Sequence, residues 1–283
     1  MSILALRKAY HKQICEGIIR EKDGKKGRYP NFADAGSTSS IQIAWGIVSG
    51  IGCEVGSGSI EGQTAGRLFE AITKTFLEQA FEYLTHLRPG RWHYDVHGSI
   101  TEFDQYEHLG QLEKLVKGNT ELESVLGSDY IIKPDIVVGR WPVTEEEINR
   151  QGAGLTLEAN IAKHTPLRRA NQPRMILHAS ISCKWTIRSD RTQNTRTEAL
   201  NLIRNRKGTL PHVAAVTAEP LPTRLAAIAL GTGDLDCVYH FALPELEQTL
   251  EEIDNEDQMD MLRVMVEGRR LRDISDLPFD LAI

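Results

Sequence analysis

Cysteine is scarce in this sequence, and the few cysteines lie far from one another. Cys15, Cys53, Cys183 and Cys237 form no CxxC pair, so their spacing indicates neither a disulfide framework nor a zinc knuckle. No apolar run approaches the roughly 18 residues that a membrane-spanning helix needs. The first residues, MSILALRKAYHK, are too polar for a signal peptide. We therefore expect a reduced, soluble and cytoplasmic protein.

Internal repeats and low-complexity linkers are absent as well. The chain has 283 residues, of which 41% are hydrophobic and 25% are charged. This ordinary globular composition argues against disorder and against a fibrous repeat. A chain of this length can bury a sizeable core without disulfides or metals to hold it together. We expect a single domain over residues 1–283.

The chain also lacks an overall positive charge, since its net charge is −6. The distribution of charge is more informative than this total. Residues 245–283 contain twelve acidic residues and four arginines, a local charge of −8, which leaves +2 for residues 1–244. Six basic residues stand against two acidic ones in residues 188–207, and a second basic cluster occupies residues 22–28. The sequence therefore remains compatible with an anionic partner.

Several common catalytic motifs are missing. The glycines of residues 50–58 do not match GxGxxG, and no GK(S/T) follows them, so a phosphate-binding loop is not indicated. No serine stands in a GxSxG sequence, which argues against a hydrolase with a nucleophile elbow. His93 and His97 have HxxxH spacing, but no glutamate lies between them, so this spacing does not indicate a zinc hydrolase.

Hydrophobic spacing predicts strands that alternate with helices. The clearest strand covers residues 175–185, where an apolar face alternates with a polar face that includes Ser182 and Lys184. Such alternation is typical of an α/β fold with helices on both faces of the sheet. The other predicted strands cover residues 91–96, 131–138, 212–217 and 235–242, a loop covers residues 22–36, and the predicted helices cover residues 2–20, 40–48, 64–87, 103–117, 121–126, 192–206, 223–230 and most of the acidic tail.

Polar side chains occur in strands that are otherwise apolar. Ser182 and Lys184 share one face of the strand at residues 175–185, and a buried ammonium group is costly without an anionic partner. Asp135 belongs to the predicted strand at residues 131–138, which is otherwise rich in Ile and Val, and it needs a counter-charge for the same reason. Glu198 on the following helix and Glu70 on the long early helix could join them.

Three carboxylates, a hydroxyl and a lysine in one place would suit phosphodiester hydrolysis. Mg²⁺ prefers oxygen ligands, and a bound metal lowers the pKa of a coordinated water while it neutralises charge on the phosphate. A nearby lysine can stabilise the transition state. The alternative is a structural ion pair between Asp135 and Lys184 without any catalytic role. The residues alone leave both possibilities open.

A second polar group follows the same strand directly. Arginine can donate two hydrogen bonds to guanine, and aspartate can accept one from cytosine, so Arg188, Asp190 and Arg191 at a helix start suit G·C pairs in the major groove. The alternative is a capped helix N-terminus, with Asp190 bonded to the main chain and both arginines exposed. The residues alone favour this second interpretation.

The order of these residues matches a known nuclease pattern. Pro134 and Asp135 are followed by Ser182-Cys183-Lys184 and then, after thirteen intervening residues, by Glu198. This order resembles the rearranged PD…(S/T)xK…E pattern, in which the second acidic residue has moved from the strand to the next helix. Over nearly its whole length, the chain resembles the NgoMIV-like type IIF restriction endonucleases, a CCGG-recognising group of the PD-(D/E)XK nuclease superfamily. The segments that carry this resemblance are SISCKWTIRSDR, RNRKG, GQTAG…FEA, SDY…PDI and IALGTG…DCVYHFAL.

This resemblance implies roles for individual residues. It implies that Asp135 and Glu198 bind Mg²⁺, that Lys184 is catalytic, and that Glu70 and Ser182 belong to the same active site. The residues implied to bind DNA are Arg188, Asp190 and Arg191 at the CCGG core, Asp34 and Arg224 at the outer G·C pair, and Gln63 in the minor groove.

The resemblance also implies a fold, a reaction and an assembly. The expected fold is a restriction-endonuclease-like core with a mixed central β-sheet flanked by α-helices. The expected target is double-stranded DNA at GCCGGC, cut after the first G to leave a 5′ CCGG overhang. A palindromic site implies a twofold dimer, and type IIF behaviour implies a homotetramer built from two dimers. A bacterial host would need a cognate DNA methyltransferase. Another PD-(D/E)XK nuclease of different or no specificity, or a non-catalytic DNA-binding protein of this fold, remains the alternative.

Overall fold

A six-stranded mixed β-sheet forms the centre of the molecule. The computed structural model describes residues 2–56, 58–126, 131–152, 160–187, 189–231 and 233–283. Two strands form a separate hairpin, and the other six form the sheet in the same spatial order as in the sequence. The strands are β1 (Glu21–Gly24), β2 (Gly27–Pro30), β3 (Trp92–Val96), β4 (Ile136–Arg140), β5 (Ile176–Lys184), β6 (His212–Thr217), β7 (Cys237–His240) and β8 (Leu271–Asp273).

Helices flank this sheet. Short 3₁₀ turns at Ile100–Glu102, Asp104–Tyr106 and Asn149–Gln151 supplement them. Within the described ranges, no helix is long and apolar enough to cross a membrane. The helices are α1 (Ile3–Gly17), α2 (Thr38–Gly50), α3 (Gly62–Tyr83), α4 (Glu107–Val116), α5 (Thr120–Leu126), α6 (Glu145–Ile148), α7 (Ser189–Asn205), α8 (Pro222–Ala229), α9 (Leu243–Glu252), α10 (Glu256–Glu267) and α11 (Leu277–Asp280).

The pairing of the strands changes from antiparallel to parallel at β5. β4 pairs antiparallel with both β3 and β5, whereas β5, β6, β7 and β8 run parallel to one another. The mixed sheet confirms the predicted α/β class. Because β5 lies between two neighbours and α3 packs on it, residues 177–183 are buried on both faces.

An aromatic cluster fixes the carboxyl end of β5. Trp185 follows the strand, and its ring centroid lies 5.2 Å from that of Phe69 in α3 and 5.4 Å from that of Phe32. All three rings are buried. Edge-to-face contacts of this kind add specificity to the burial of apolar area. The cluster therefore joins α3 and the segment after β2 to the strand end that carries Lys184.

The acidic C-terminal segment is anchored to α1 by one arginine. The Arg7 guanidinium donates to both oxygens of Glu245, at 2.8 and 2.6 Å, and to both oxygens of Asp273, at 2.9 Å each. The three side chains are largely buried, where an ion pair is held only with good geometry and several hydrogen bonds. Part of the local charge of −8 is therefore neutralised within the fold.

Two expectations about local structure were wrong. Residues 22–36 were predicted to be a loop, but β1 and β2 form a hairpin there, with Gly24 paired to Gly27 across a two-residue connection. Gly27 has a φ of 103°, which a glycine adopts without a Cβ penalty. β4 begins only at Ile136, so Pro134 and Asp135 precede the strand instead of lying within it. Proline cannot donate a main-chain hydrogen bond to the sheet, which agrees with this later start.

The expectation of a fully reduced chain without disulfides was also wrong. Cys15 in α1 and Cys53 after α2 are joined by a disulfide, with their Cα atoms 5.5 Å apart. The two cysteines are 38 residues apart in the sequence, so only the packing of the folded chain brings them together. Cys183 and Cys237 are buried free thiols.

Candidate active site

The pairing of β4 with β5 brings Asp135 and Lys184 together. Ile136 pairs antiparallel with Ile181, so Asp135 lies opposite Ser182. Opposed residues of an antiparallel pair point to the same face of the sheet, and so do residues two apart on one strand. Asp135, Ser182 and Lys184 therefore share one face, although Asp135 is 49 residues before Lys184.

Three hydrogen bonds converge on one oxygen of Asp135. Its Oδ2 accepts the main-chain N–H of Cys183 at 2.7 Å, the Lys184 ammonium at 2.8 Å and the Ser182 hydroxyl at 3.4 Å. Bonds to an ionised acceptor are stronger than bonds between neutral groups. The carboxylate is thereby held in one position at the carboxyl end of β5.

Lys184 is mostly buried and stays protonated. Burial by itself would lower the pKa of Lys184, but the carboxylates of Asp135 and Glu198 outweigh that effect and raise its pKa above the usual value. A lysine in this state is a fixed positive charge and a hydrogen-bond donor, so it cannot accept a proton near neutral pH.

Glu70 reaches the same place from α3. Its side chain is buried, and burial together with repulsion from Asp135 raises its pKa. Its Oε2 atom is buried and accepts no hydrogen bond within the described part of the chain. His97, directly after β3, places its Nε2 3.1 Å from this oxygen, without the geometry of a hydrogen bond.

Glu198 approaches from α7. Its side chain is half-buried, and burial raises its pKa, whereas Lys184 lowers it. Three residues earlier on α7, the Thr195 hydroxyl lies 3.5 Å from that of Ser182, so α7 is seated against β5. The structure thus brings Asp135, Glu70, Ser182, Lys184 and Glu198 to one region, as the sequence predicted.

The donor set fits a divalent cation. Ligand atoms of Glu70, His97 and Asp135 lie within 4.8 Å of one another. Among the described residues, the Oε2 oxygen of Glu70 accepts no hydrogen bond, and a second carboxylate beside it is unfavourable unless a positive charge is shared between them. Carboxylate oxygens are also the ligands that Mg²⁺ prefers. Glu198, predicted as a metal ligand, interacts electrostatically with Asp135 and Lys184 but is not part of this close group of three.

Several of these residues line a groove on the surface of the molecule. A cleft of 830 Å³ contains Glu70, His97, Lys184 and Glu198, and Gln63, exposed in the first turn of α3, also lines it. A second cleft of 740 Å³ shares Lys22, Asn31 and Thr186 with the first, so the two form one continuous groove.

Asp34 and Arg224 lie together in the second cleft, although they are 190 residues apart in the sequence. Their side chains form an ion pair, and Asp34 also accepts the main-chain N–H of Gly36 at 2.8 Å. Arg224 lies in α8, which begins with Pro222. The structure therefore brings together the two residues that were predicted to read the outer base pair.

The segment predicted to read the core bases is described only in part. Arg188 lies outside the described residues. Asp190 and Arg191 belong to the first turn of α7, which begins at Ser189, three residues before the predicted start. A helix start next to the carboxyl end of β5 agrees with the predicted placement, and both interpretations of these side chains remain predictions.

Sequence reasoning missed two residues of this groove. His97 was weighed only as part of an HxxxH zinc motif, and its place opposite Asp135 depends on the β3–β4 register. Glu219, at the end of β6, is buried and accepts the main-chain N–H groups of Ile187 at 3.0 Å and Leu221 at 3.3 Å. A lone acidic residue in the apolar run VAAVTAEPLP was a usable signal for Glu219, of the same kind that identified Asp135.

Comparison with known proteins identifies a restriction enzyme family. The family model described as "NgoMIV restriction enzyme" matches residues 10–283. The type II restriction enzyme NgoMIV of Neisseria gonorrhoeae is 50% identical over 282 residues, which cover 98% of this chain and 97% of that protein.

Two solved restriction endonucleases are more distant. The PspGI complex with substrate DNA has a TM-score of 0.37 at 15% identity, with 78% of this chain and 61% of that chain covered. Bse634I, a type IIF enzyme with cognate DNA, has a TM-score of 0.35 at 12% identity, with 86% and 99% covered. Both scores lie below 0.5 and support no conclusion about this chain.

Glu219 should make the stability of the protein depend on pH. Burial raises its pKa from 4.5 to about 7, so the folded state holds this proton over a range where the unfolded chain has released it. Stability should therefore fall as the pH rises from about 4.5 to 7. Over that interval the wild type should lose about 3 kcal/mol more than Glu219→Gln, as measured by urea unfolding at a series of pH values.

Glu267→Gln is the matched control, because it removes an exposed carboxylate on α10. Its pH profile should follow that of the wild type. Parallel profiles for Glu219→Gln and the wild type would mean that folding does not hinder ionisation of Glu219.

Proposed function

The chain belongs to the NgoMIV restriction enzyme family and is a type II site-specific deoxyribonuclease, and we propose that it cuts both strands of GCCGGC after the first G. The products would carry a 5′ CCGG overhang, with 5′-phosphate and 3′-hydroxyl ends. The observation that carries the proposal is the convergence of Asp135, Lys184 and Glu198 at the edge of a groove that also contains Asp34 and Arg224. The whole chain, residues 1–283, would act as a single endonuclease domain.

Asp135 and Glu198 would hold Mg²⁺, with Glu70 beside them. When bound, the metal would lower the pKa of a coordinated water and offset the negative charge of the scissile phosphate. The Glu70 oxygen that accepts no hydrogen bond from the described residues, together with the crowding of carboxylates, supports a cation at this position. The Ser182 hydroxyl and the Cys183 N–H would keep the Asp135 carboxylate oriented toward it.

Lys184 would act on the phosphate as a fixed cation. Its ammonium is held by Asp135 at 2.8 Å and stays protonated, so it can donate hydrogen bonds to a non-bridging phosphate oxygen or to the attacking water. During hydrolysis the water oxygen bonds to phosphorus, the bond to the 3′ oxygen breaks, and negative charge grows on the phosphate oxygens. A donor already placed at that point stabilises this charge more than it stabilises the bound substrate.

The reading of DNA bases would be divided between the two ends of the groove. Arg188, Asp190 and Arg191 would contact the CCGG core near the catalytic strand, and Gln63 would reach the minor groove. Asp34 and Arg224 would read the outer G·C pair, with arginine donating to guanine and aspartate accepting from cytosine. Glu219, 3.9 Å from Arg224, would hold that arginine in position and also fix Ile187, the residue before Arg188.

Replacing Lys184 tests the catalytic assignment. We expect Lys184→Ala to reduce cleavage by at least about a hundredfold, because a charge-stabilising donor is lost from the transition state. Binding of GCCGGC should change little, as measured by gel shift without Mg²⁺. Lys117→Ala, which removes an exposed lysine after α4, should cut at the wild-type rate. Cleavage by Lys184→Ala within tenfold of the wild type would exclude a catalytic lysine here.

Replacing Arg191 tests how the core is read. If Arg191 donates two hydrogen bonds to a guanine, Arg191→Ala should lose about 1–3 kcal/mol of discrimination at that base pair. Arg191→Lys should not restore it, because an ammonium lacks the planar pair of donors. The measurement is the ratio of affinities for GCCGGC and for a duplex with one core pair changed.

Lys207→Ala serves as the comparison, since Lys207 is an exposed cation close to the end of α7. It should weaken binding to both duplexes equally, if at all. An equal loss on both duplexes for Arg191→Ala would instead make Arg191 a backbone contact or a structural residue.

The proposed assembly is a homotetramer of two dimers, each of which binds one palindromic site. A host would protect its own sites with a cognate DNA methyltransferase. A chain of 31.7 kDa should then scatter light as a species of about 127 kDa. Plasmids with two sites should be cut faster than plasmids with one. A monomer or dimer by light scattering, with equal rates on both plasmids, would rule out the tetramer.

A further inference from the structure

His97 occupies an unusual position for a residue without a function. It follows the last residue of β3, and its main chain has a φ of 59°, in the left-handed region. Residues other than glycine seldom adopt this conformation, and Gly98, which would adopt it freely, is the next residue. Strain of this kind persists where surrounding contacts enforce it, and it is concentrated at functional sites.

The main chain holds His97 beside Asp135. Val96 pairs with Ile136 in the β3–β4 register, so His97 lies opposite Asp135. The N–H of His97 donates to the main-chain carbonyl of Asp135 at 3.1 Å. The position of the imidazole is thus tied to the same residue that organises the catalytic strand.

The side chain of His97 reaches Glu70 without satisfying it. Its Nε2 lies 3.1 Å from Oε2 of Glu70, yet that oxygen is buried and accepts no hydrogen bond from the described residues. The contact is an ion pair when the ring is protonated, but a histidine placed to hydrogen-bond Glu70 would donate to this oxygen. This nitrogen and this oxygen lie close together without a hydrogen bond between them. They are instead placed so that one metal ion could accept an electron pair from each.

We propose that Nε2 of His97 is a ligand of the divalent cation at this site, together with Glu70 and Asp135. The inference rests on the proposed function, in that the site must bind a divalent metal. The three ligand atoms lie within 4.8 Å of one another, which one ion can span. The centre then has a nitrogen donor in addition to the carboxylates of the nuclease pattern.

A nitrogen ligand changes which metals the centre prefers. Carboxylates suit Mg²⁺, whereas imidazole suits later transition metals, and affinity rises from Mn²⁺ to Co²⁺ for a given set of ligands. His97 should therefore strengthen the binding of Co²⁺ much more than that of Mg²⁺. The chain would use Mg²⁺ through its carboxylates and accept Co²⁺ with an affinity that depends on His97.

The test compares metal binding by full-length variants without DNA. The affinities for Co²⁺ and Mg²⁺ are measured by isothermal titration calorimetry. His97→Gly removes the ring and adopts a positive φ without strain, and His97→Asn is the second variant, because asparagine tolerates that conformation. Both should bind Co²⁺ at least about tenfold more weakly than the wild type, while the affinity for Mg²⁺ changes less than about threefold.

His93→Ala is the matched control, because His93 lies four residues earlier, within β3, and outside the groove lining. It should bind both metals like the wild type. Pulsed EPR of the Mn²⁺-loaded proteins reports the ligand directly. A coupling to a histidine nitrogen should be present in the wild type and in His93→Ala, and absent from both His97 variants.

The possible failures can be told apart. If metal binds and Asp135→Asn abolishes that binding, but no nitrogen coupling appears, His97 is not a ligand and the carboxylate centre stands. If the His97 variants match His93→Ala in affinity for Co²⁺, the inference is likewise overturned. If neither Mg²⁺ nor Co²⁺ binds to the wild type, both the proposed metal centre and the inference about His97 are wrong.

Discussion

The antiparallel register between β4 and β5 determines where the proposed catalytic residues lie. It sets Asp135 opposite Ser182 and on the same face as Lys184, so that one carboxylate oxygen receives a main-chain N–H and an ammonium group. A shift of one residue would turn Asp135 to the other face of the sheet. Lys184 would then be buried without its counter-charge, which a folded protein rarely tolerates.

Negative charge is in excess around Asp135 and Lys184, and this excess favours the binding of a cation. Asp135, Glu70 and Glu198 all interact with Lys184, and burial raises the pKa values of both glutamates. The acidic C-terminal segment does not contribute to this imbalance in the same way, because Arg7 of α1 pairs with two of its carboxylates. The net charge of −6 therefore says little about the groove, where negative charge is concentrated at one point for a metal and basic side chains lie around it.

The proposed catalytic and base-reading parts of the groove are joined by a very short segment. Lys184 ends β5, and only three residues later the N–H of Ile187 is held by the buried carboxylate of Glu219. Glu219 also lies beside Arg224, which pairs with Asp34. Both ends of residues 184–187 are thus fixed by acidic side chains, the half-buried Asp135 and the buried Glu219, and the start of α7 follows directly. The position of α7, the proposed base-reading helix, is therefore tied to the position of Lys184, the proposed catalytic lysine.

The sequence by itself determined the α/β class, the strand at β6 with its predicted bounds, and the identities of Asp135, Lys184 and Glu198 as candidates. Period-two alternation and polar residues in apolar strands are local signals, and the resemblance to a nuclease family added the order of the motif. Only the tertiary structure decided that Cys15 meets Cys53, that His97 lies opposite Asp135, and that Glu219 holds Ile187. These contacts join residues that are distant in sequence, and their partners follow from strand register and helix packing, which the spacing of residues does not encode.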